Sequence, residues 1–266
     1  MNATPRRVTK TSLQQMKQRG EKIVMLTAYD YPIASLLDEA GVDILLVGDS
    51  LGMVVQGNET TIPVTLSQMI YHGKMVTRAA RRAMVVVDLP FPHGQLGVNA
   101  TLRVAAKILK QTGCQAVKLE GGSQQSETIR SLVSAGIPVI AHVGMRPQSV
   151  HALGGYRVQR DADRLMQDAR SAEEAGAFCV LMECVPGELA RQVTEAAQVP
   201  TIGIGAGPHC DGQVLVTHDI LGLTVGKVPK FVRQQIDLAG QISQAISKHN
   251  LAVRNGTFPD KSESFE

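Results

Sequence analysis

Short apolar runs rich in Val, Ile and Leu recur along this chain, and four of them stop at an acidic residue. Ile44–Val47 passes through Gly48 to Asp49-Ser50, Met84–Val87 ends at Asp88, Ala116–Leu119 ends at Glu120, and Phe178–Met182 ends at Glu183. Runs this short and this uniformly apolar predict strands buried on both faces, as in a parallel sheet. The predicted strands are Ile23–Ala28, Asp43–Gly48, Met84–Leu89, Ala116–Leu119, Pro138–Val143, Phe178–Glu183 and Thr201–Ile204. Helical spacing separates them, over Tyr31–Ala40, Leu66–Ala80, Ala100–Thr112, Glu127–Ala135, Ala162–Ala175 and Gly187–Ala197. Thr65 is a natural N-cap. Gly41, Gly113, Gly136 and Gly176 stand where helix ends need a left-handed residue.

Strand and helix alternating this many times favour a closed barrel over an open sheet. The expected fold is α/β, a single (β/α)8 TIM-type barrel spanning 1–266, with a polar tail over about 255–266. An amphipathic helix over Val8–Arg19 is expected to plug its bottom. The eighth unit is irregular. Only Ala206–Asp211 separates a possible strand at Val214–His218 from the seventh, too few residues for a helical crossover of about 10–12. Gly212–Leu221 is therefore read as a helix capped by Asp211 and closed by Gly222. That reading puts the eighth strand between Val225 and Val232, and the last helix from Asp237 to Val253.

The barrel assignment changes what the acidic residues mean. Active sites of such barrels lie at the C-terminal ends of the strands. Asp49, Asp88, Glu120 and Glu183 should then converge on one mouth, with Lys118 and His142 beside them. The long connections from Asp49 to Thr65 and from Gly144 to Asp161 should lie over it.

Adjacent carboxylates repel unless a cation or a shared proton lies between them. Asp49 and Asp88, on neighbouring strands, therefore suggest a hard cation such as Mg²⁺; the alternative is that they cap helices or bind loop backbone. Lys118 and Glu120, two residues apart, face the same side. They form either a buried ion pair or a metal-site carboxylate beside a cation for an anionic substrate; a Schiff-base lysine is a third possibility. His142 is either a core histidine satisfied by backbone or a group behind the metal ligands that orients Glu120 or substrate. Glu183, across the mouth, suits a general base, or else pairs with Arg146 or Arg157.

Composition narrows the class. The chain has 266 residues, 44% hydrophobic and only 3% aromatic, with no Trp, so aliphatic side chains must fill the core. Its formal charge is +3, and its basic residues are scattered, which argues against a nucleic-acid groove. No apolar signal core follows Met1, and no run approaches membrane-spanning length. Cys114, Cys179, Cys184 and Cys210 show no Cys-x-x-Cys spacing, which points away from zinc and toward a reducing, cytoplasmic compartment. The Gly-Ile-Gly-Ala-Gly run at 203–207 lacks the spacing of a dinucleotide or phosphate loop.

Several segments together resemble the ketopantoate hydroxymethyltransferase family. They are MLTAYDYPIA (25–34), VGDSLGMVVQG (47–57), VDLPF (87–91), VKLEGG (117–122), AHVGMRPQSV (141–150), GGYRVQ (154–159), MECVPGELA (182–190), GIGAG (203–207) and DGQVLVTHDILGL (211–223). The resemblance implies a barrel of the phosphoenolpyruvate mutase/isocitrate lyase superfamily, assembled as a homodecamer of two rings. It implies transfer of a one-carbon unit from 5,10-methylenetetrahydrofolate to 3-methyl-2-oxobutanoate, with Mg²⁺, in pantothenate biosynthesis. It makes Asp49, Asp88 and Glu120 the metal-site carboxylates, Asp49, Ser50, Asp88 and Lys118 the keto-acid contacts, and Glu183 the proton acceptor. The alternative is a metal-dependent C–C lyase or mutase of the same superfamily, acting without folate.

Three departures from the family pattern touch the folate and lid segments. They are Pro92-His93-Gly94, Met145-Arg146, and a missing Gly after Gln159. Arg146 is expected to meet an acidic partner or the folate glutamate tail.

Overall fold

The computed structural model describes residues 6–265. Parallel strands β1 (Ile23–Thr27), β2 (Ile44–Val47), β3 (Met84–Asp88), β4 (Ala116–Glu120), β5 (Val139–Gly144), β6 (Cys179–Glu183), β7 (Thr201–Ile204) and β8 (Gly212–Leu215) close into a barrel in that order, with β8 pairing back to β1. The (β/α)8 expectation holds. Helices α1 (Lys10–Arg19), α2 (Tyr31–Glu39), α3 (Leu51–Val54), α4 (Leu66–Ala79), α5 (Val98–Thr112), α6 (Ser126–Ser134), α7 (Ala162–Glu174) and α8 (Gly187–Ala196) belong to the same compact unit, which runs to Val216.

Local chemistry sets their ends. At α4, Thr65 Oγ1 accepts from the Gln68 N–H (3.3 Å) while Gln68 Oε1 accepts from the Thr65 N–H (2.7 Å), a reciprocal cap. Asp30 and Asp161 cap α2 and α7. Gly113 ends α5 at φ +76°, where a Cβ would be strained.

Side chains alternate inward and outward along each strand. The inner set is Ile23 and Met25, Ile44 and Leu46, Met84 and Val86, Ala116, Ile140, Cys179 and Leu181, Ile202, and Val214. Val8, Leu13 and Met16 pack with these residues, and Val8 and Leu13 are buried. The Val8 N–H donates to Arg82 O, and Lys17 Nζ bonds Asp211 Oδ2 at 2.7 Å, so the α1 segment is tied to residues that precede β3 and β8. Outward residues such as Leu45, Val85, Val117, Val139 and Ala141 form a second core beneath the helices.

The eighth unit corrects the sequence reading. Gly212–Leu215 is strand β8, not part of a helix, and no strand occurs between Val225 and Val232. The crossover rule failed because the return path is short: Gly212 pairs with Ile202, so the chain need not descend the full depth of the barrel. Seven residues at 205–211 make the connection, with Gly205 and Gly207 at positive φ. Asp211 does not cap a helix. Its Oδ2 accepts from the Thr201 N–H (2.8 Å) and Thr201 Oγ1 (3.0 Å), linking the starts of β7 and β8. Val225 is 98% exposed, so the expected strand had nothing to bury there.

The second compact unit, 217–266, contains α9 (Thr217–Leu221) and α10 (Leu238–Arg254). The last helix falls within one residue of the expected bounds, and Asp237 is its cap, accepting from the Gly240 N–H at 3.0 Å. The Gln235 N–H donates to Ile220 O, tying α9 to the segment that leads into α10. Among the described residues no helix is long and apolar enough to cross a membrane.

Candidate active site

Strand register assembles the charged groups. Asp88 of β3 pairs with Lys118 of β4, Glu120 of β4 pairs with His142 of β5, and Gly144 of β5 pairs with Glu183 of β6. In a parallel pair the side chains of aligned residues project to the same face. Asp88, Lys118, His142 and Glu183 each follow an inward apolar residue at a spacing of two, and Glu120 follows Lys118 at the same spacing, so the polar groups form the uppermost inner layers. Asp49 and Ser50 follow β2, at the start of α3. All the predicted site residues are thus brought together at one end of the barrel.

Lys118 Nζ lies 3.0 Å from Asp88 Oδ1, without the angle of a hydrogen bond, and 3.3 Å from His142 Nδ1. The buried pair is therefore Lys118–Asp88 rather than Lys118–Glu120. Asp88 Oδ2 accepts from the Asp49 N–H (3.1 Å). His142 Nε2 stands 3.3 Å from Glu183 Oε2, and its Nδ1 stands 3.9 Å from Glu120 Oε1. An ammonium can only donate, so Nδ1 must accept there and the ring proton resides on Nε2, toward Glu183. His142 thus spans from Lys118 to Glu183. Glu183 pairs with neither Arg146 nor Arg157, and among the described residues Arg146 meets no carboxylate partner.

Four carboxylates face one ammonium, nearly all out of solvent. Burial raises Glu120 well above the usual carboxylate range, and Asp49 adds to the effect. Burial pushes Asp88 up to about 7 against the pull of Lys118, and raises Asp49 against the same pull. Burial also pushes Glu183 up to about 7, again opposed by Lys118. Burial opposes the Lys118 charge as well, but Asp88, Asp49 and Glu120 more than offset it, so the ammonium is held firmly. Burial and Lys118 hold His142 far below its ordinary value, as the neutral imidazole.

These features suit a divalent cation of the Mg²⁺ kind. The donors are hard oxygens, and the single Lys118 ammonium, paired with Asp88, leaves the charge of four carboxylates under-compensated. Among the described residues no three His, Cys, Asp or Glu side chains enclose an ion by themselves.

A family model described as ketopantoate hydroxymethyltransferase matches residues 7–261. The chain belongs to the ketopantoate hydroxymethyltransferase family. A 3-methyl-2-oxobutanoate hydroxymethyltransferase of Rhodopirellula baltica is 60% identical over 98% of this chain and 97% of its own length. Another of the same name, from Desulforapulum autotrophicum, is 53% identical over 98% and 99%. Among solved structures, a phosphonopyruvate hydrolase in complex with oxalate and Mg²⁺ superposes with a TM-score of 0.64 at 13% identity, covering 96% of this chain and 92% of its own. A 2,3-dimethylmalate lyase of the PEP mutase/isocitrate lyase superfamily gives 0.59 at 19%, covering 96% and 91%. At these identities the likeness concerns the fold.

Three residues around the site escaped the sequence reading. The Tyr29 hydroxyl is hydrogen-bonded to Ser50 Oγ (2.8 Å) and buried at the end of β1. Tyr156 donates to Met53 Sδ (3.5 Å), joining the two long connections. Gln148, on the turn Pro147–Ser149, is buried and bonds two of the carboxylates. All three lie inside segments that carried the family resemblance, but no periodicity or charge marked them out.

Proposed function

We propose that this mouth transfers a hydroxymethyl group from 5,10-methylenetetrahydrofolate to 3-methyl-2-oxobutanoate, giving 2-dehydropantoate. The reading rests on one arrangement above all. Glu183, with its carboxyl pushed up to about 7, stands apart from the Asp49–Asp88–Lys118 group and is linked to it through His142. Proton abstraction beside a carbonyl calls for such a base, poised near the working pH.

Lys118 and Ser50 bind the keto acid, the ammonium meeting the substrate's negative charge. Asp49 and Asp88 would hold Mg²⁺, with Glu120 beside them. Bound there, the ion supplies Lewis-acid stabilisation of the charge that develops on the keto oxygen. Glu183 removes the C3 proton. The resulting enolate forms its new C–C bond to the methylene carbon as one bond from that carbon to a folate nitrogen breaks; water then replaces the second folate nitrogen and becomes the hydroxyl, and tetrahydrofolate departs with two protons on its nitrogens, one from C3 and one from water. His142, neutral, stands between Lys118 and Glu183, with its Nε2 3.3 Å from Glu183 Oε2, and packs against that carboxylate. Four free thiols fit a cytoplasmic enzyme, and a decameric ring assembly is the expected quaternary state.

Proton exchange at C3 of 3-methyl-2-oxobutanoate in D₂O, followed by NMR, tests the reading. Exchange should require a divalent ion and proceed without folate, while 2-dehydropantoate forms only when methylenetetrahydrofolate is added. No exchange in the presence of Mg²⁺ would remove enolisation from this site. Turnover of the keto acid without folate would instead favour a lyase.

A further inference from the structure

We propose that Gln148 is a positioning residue that holds Asp49 and Glu120 in register for the cation, an inference that rests on the metal-dependent reading above. Its Nε2 donates to Asp49 Oδ2 (2.8 Å) and to Leu89 O (2.9 Å). Its backbone N–H donates to both oxygens of Glu120, at 3.1 and 3.3 Å. One residue therefore touches the ends of β2, β3 and β4, and Leu89 directly follows Asp88.

The amide chemistry is specific. Both partners of Nε2 are acceptors, so the side chain can sit only with its NH₂ group toward them, and both of its N–H bonds are used. A neutral donor steadies Asp49 without adding a positive charge that would compete with a cation. A glutamate here would turn two donors into a fifth carboxylate. The backbone contact also means that the β5 connection must be folded in place before Glu120 has its partner. Gln148 is only 6% exposed, so its loss would leave Leu89 O and Asp49 Oδ2 unpaired out of solvent.

Residues that orient metal carboxylates in this indirect way typically change metal affinity by about 10–100-fold when removed. The test uses the full chain and Mn²⁺ as a paramagnetic probe, with free ion counted by EPR in the absence of substrate. Gln148→Met should weaken Mn²⁺ binding by about 10–100-fold, and Gln148→Asn, one methylene short, by less. Saturating Mn²⁺ should restore most of the C3 exchange rate in both. A role confined to stability would lower the melting temperature and leave the Mn²⁺ affinity alone. Mn²⁺ affinity within twofold of wild type in a folded Gln148→Met overturns the inference, as does failure of both variants to fold. Wild-type protein that neither binds Mn²⁺ nor exchanges C3 would instead overturn the functional reading itself.

Discussion

Gly144 faces Glu183 across β5 and β6 so closely that a Cβ at Gly144 would lie 2.5 Å from the Glu183 carbonyl oxygen. Gly144 also holds φ at +85°, a conformation costly for any side chain. The backbone that carries the base is thus seated against a residue with no side chain. Gly144→Ala should destabilise the fold by about 1–3 kcal/mol. It should also lower C3 exchange by roughly 10²-fold, the usual consequence of a misplaced catalytic group. Thermal melts and NMR exchange rates check both. A wild-type rate in the folded variant would mean that the end of β6 can shift freely.

Glu183→Gln separates the base from its surroundings. The amide is isosteric and can still meet His142, so folding and Mg²⁺ affinity should survive. C3 exchange should fall by roughly 10²–10⁴. In the wild type only the ionised carboxylate can accept a proton, so the exchange rate should climb with pH and level off above about 7. The variant should lose that limb. A limb unchanged in Glu183→Gln would assign it to another group of the cluster.

Metal-free protein should become less stable as pH rises. Glu183 and Asp88 are both pushed up to about 7, from ordinary values of 4.5 and 3.8. Between these limits the folded state holds protons that the unfolded chain has released, so each pH step upward favours unfolding. Below the ordinary values both states are protonated and the penalty vanishes. In EDTA, Tm should therefore fall from pH 5 to pH 8. Mg²⁺ at 100 times its Kd should add about 2.7 kcal/mol at the upper pH. A Tm that rises with pH in EDTA would contradict the buried-carboxylate account.

Asp88→Asn should weaken Mg²⁺ and keto-acid binding together. Asp88 is the ion-pair partner of Lys118 and the acceptor for the Asp49 N–H, so its loss disturbs cation and anion sites at once. Isothermal titration of each ligand, with and without EDTA, reads the coupling. Keto-acid affinity that ignores EDTA in the wild type would separate the two sites.

Much of this was legible in the chain because a parallel barrel strand is a short apolar run, and a carboxylate closing such a run marks the mouth. The two-residue spacing of Lys118 and Glu120 told which face they share. It could not tell that strand pairing would set Lys118 beside Asp88, since register is a relation between strands. The eighth strand was obscured by its length and by Asp211, whose place before an amphipathic stretch imitates a helix cap. Its true partners, Thr201 and Lys17, are distant in sequence or on another element. Gln148 left no trace in periodicity or charge, because an amide in a loop acquires its meaning only from the acceptors that fold around it.

The pairing of Asp88 with Lys118 and of Glu120 with His142 has a consequence for how this protein can vary. A slip of β4 by one residue would turn Lys118 and Glu120 together toward the helices and bring Val117 and Leu119 into the mouth. In an open sheet such an error could be absorbed at an edge. A closed barrel has no edge, and its shear is a single number shared by all strands, so the slip would have to travel around the whole circumference. Insertions are tolerable in the loops above and below, whereas the strands themselves must keep their count.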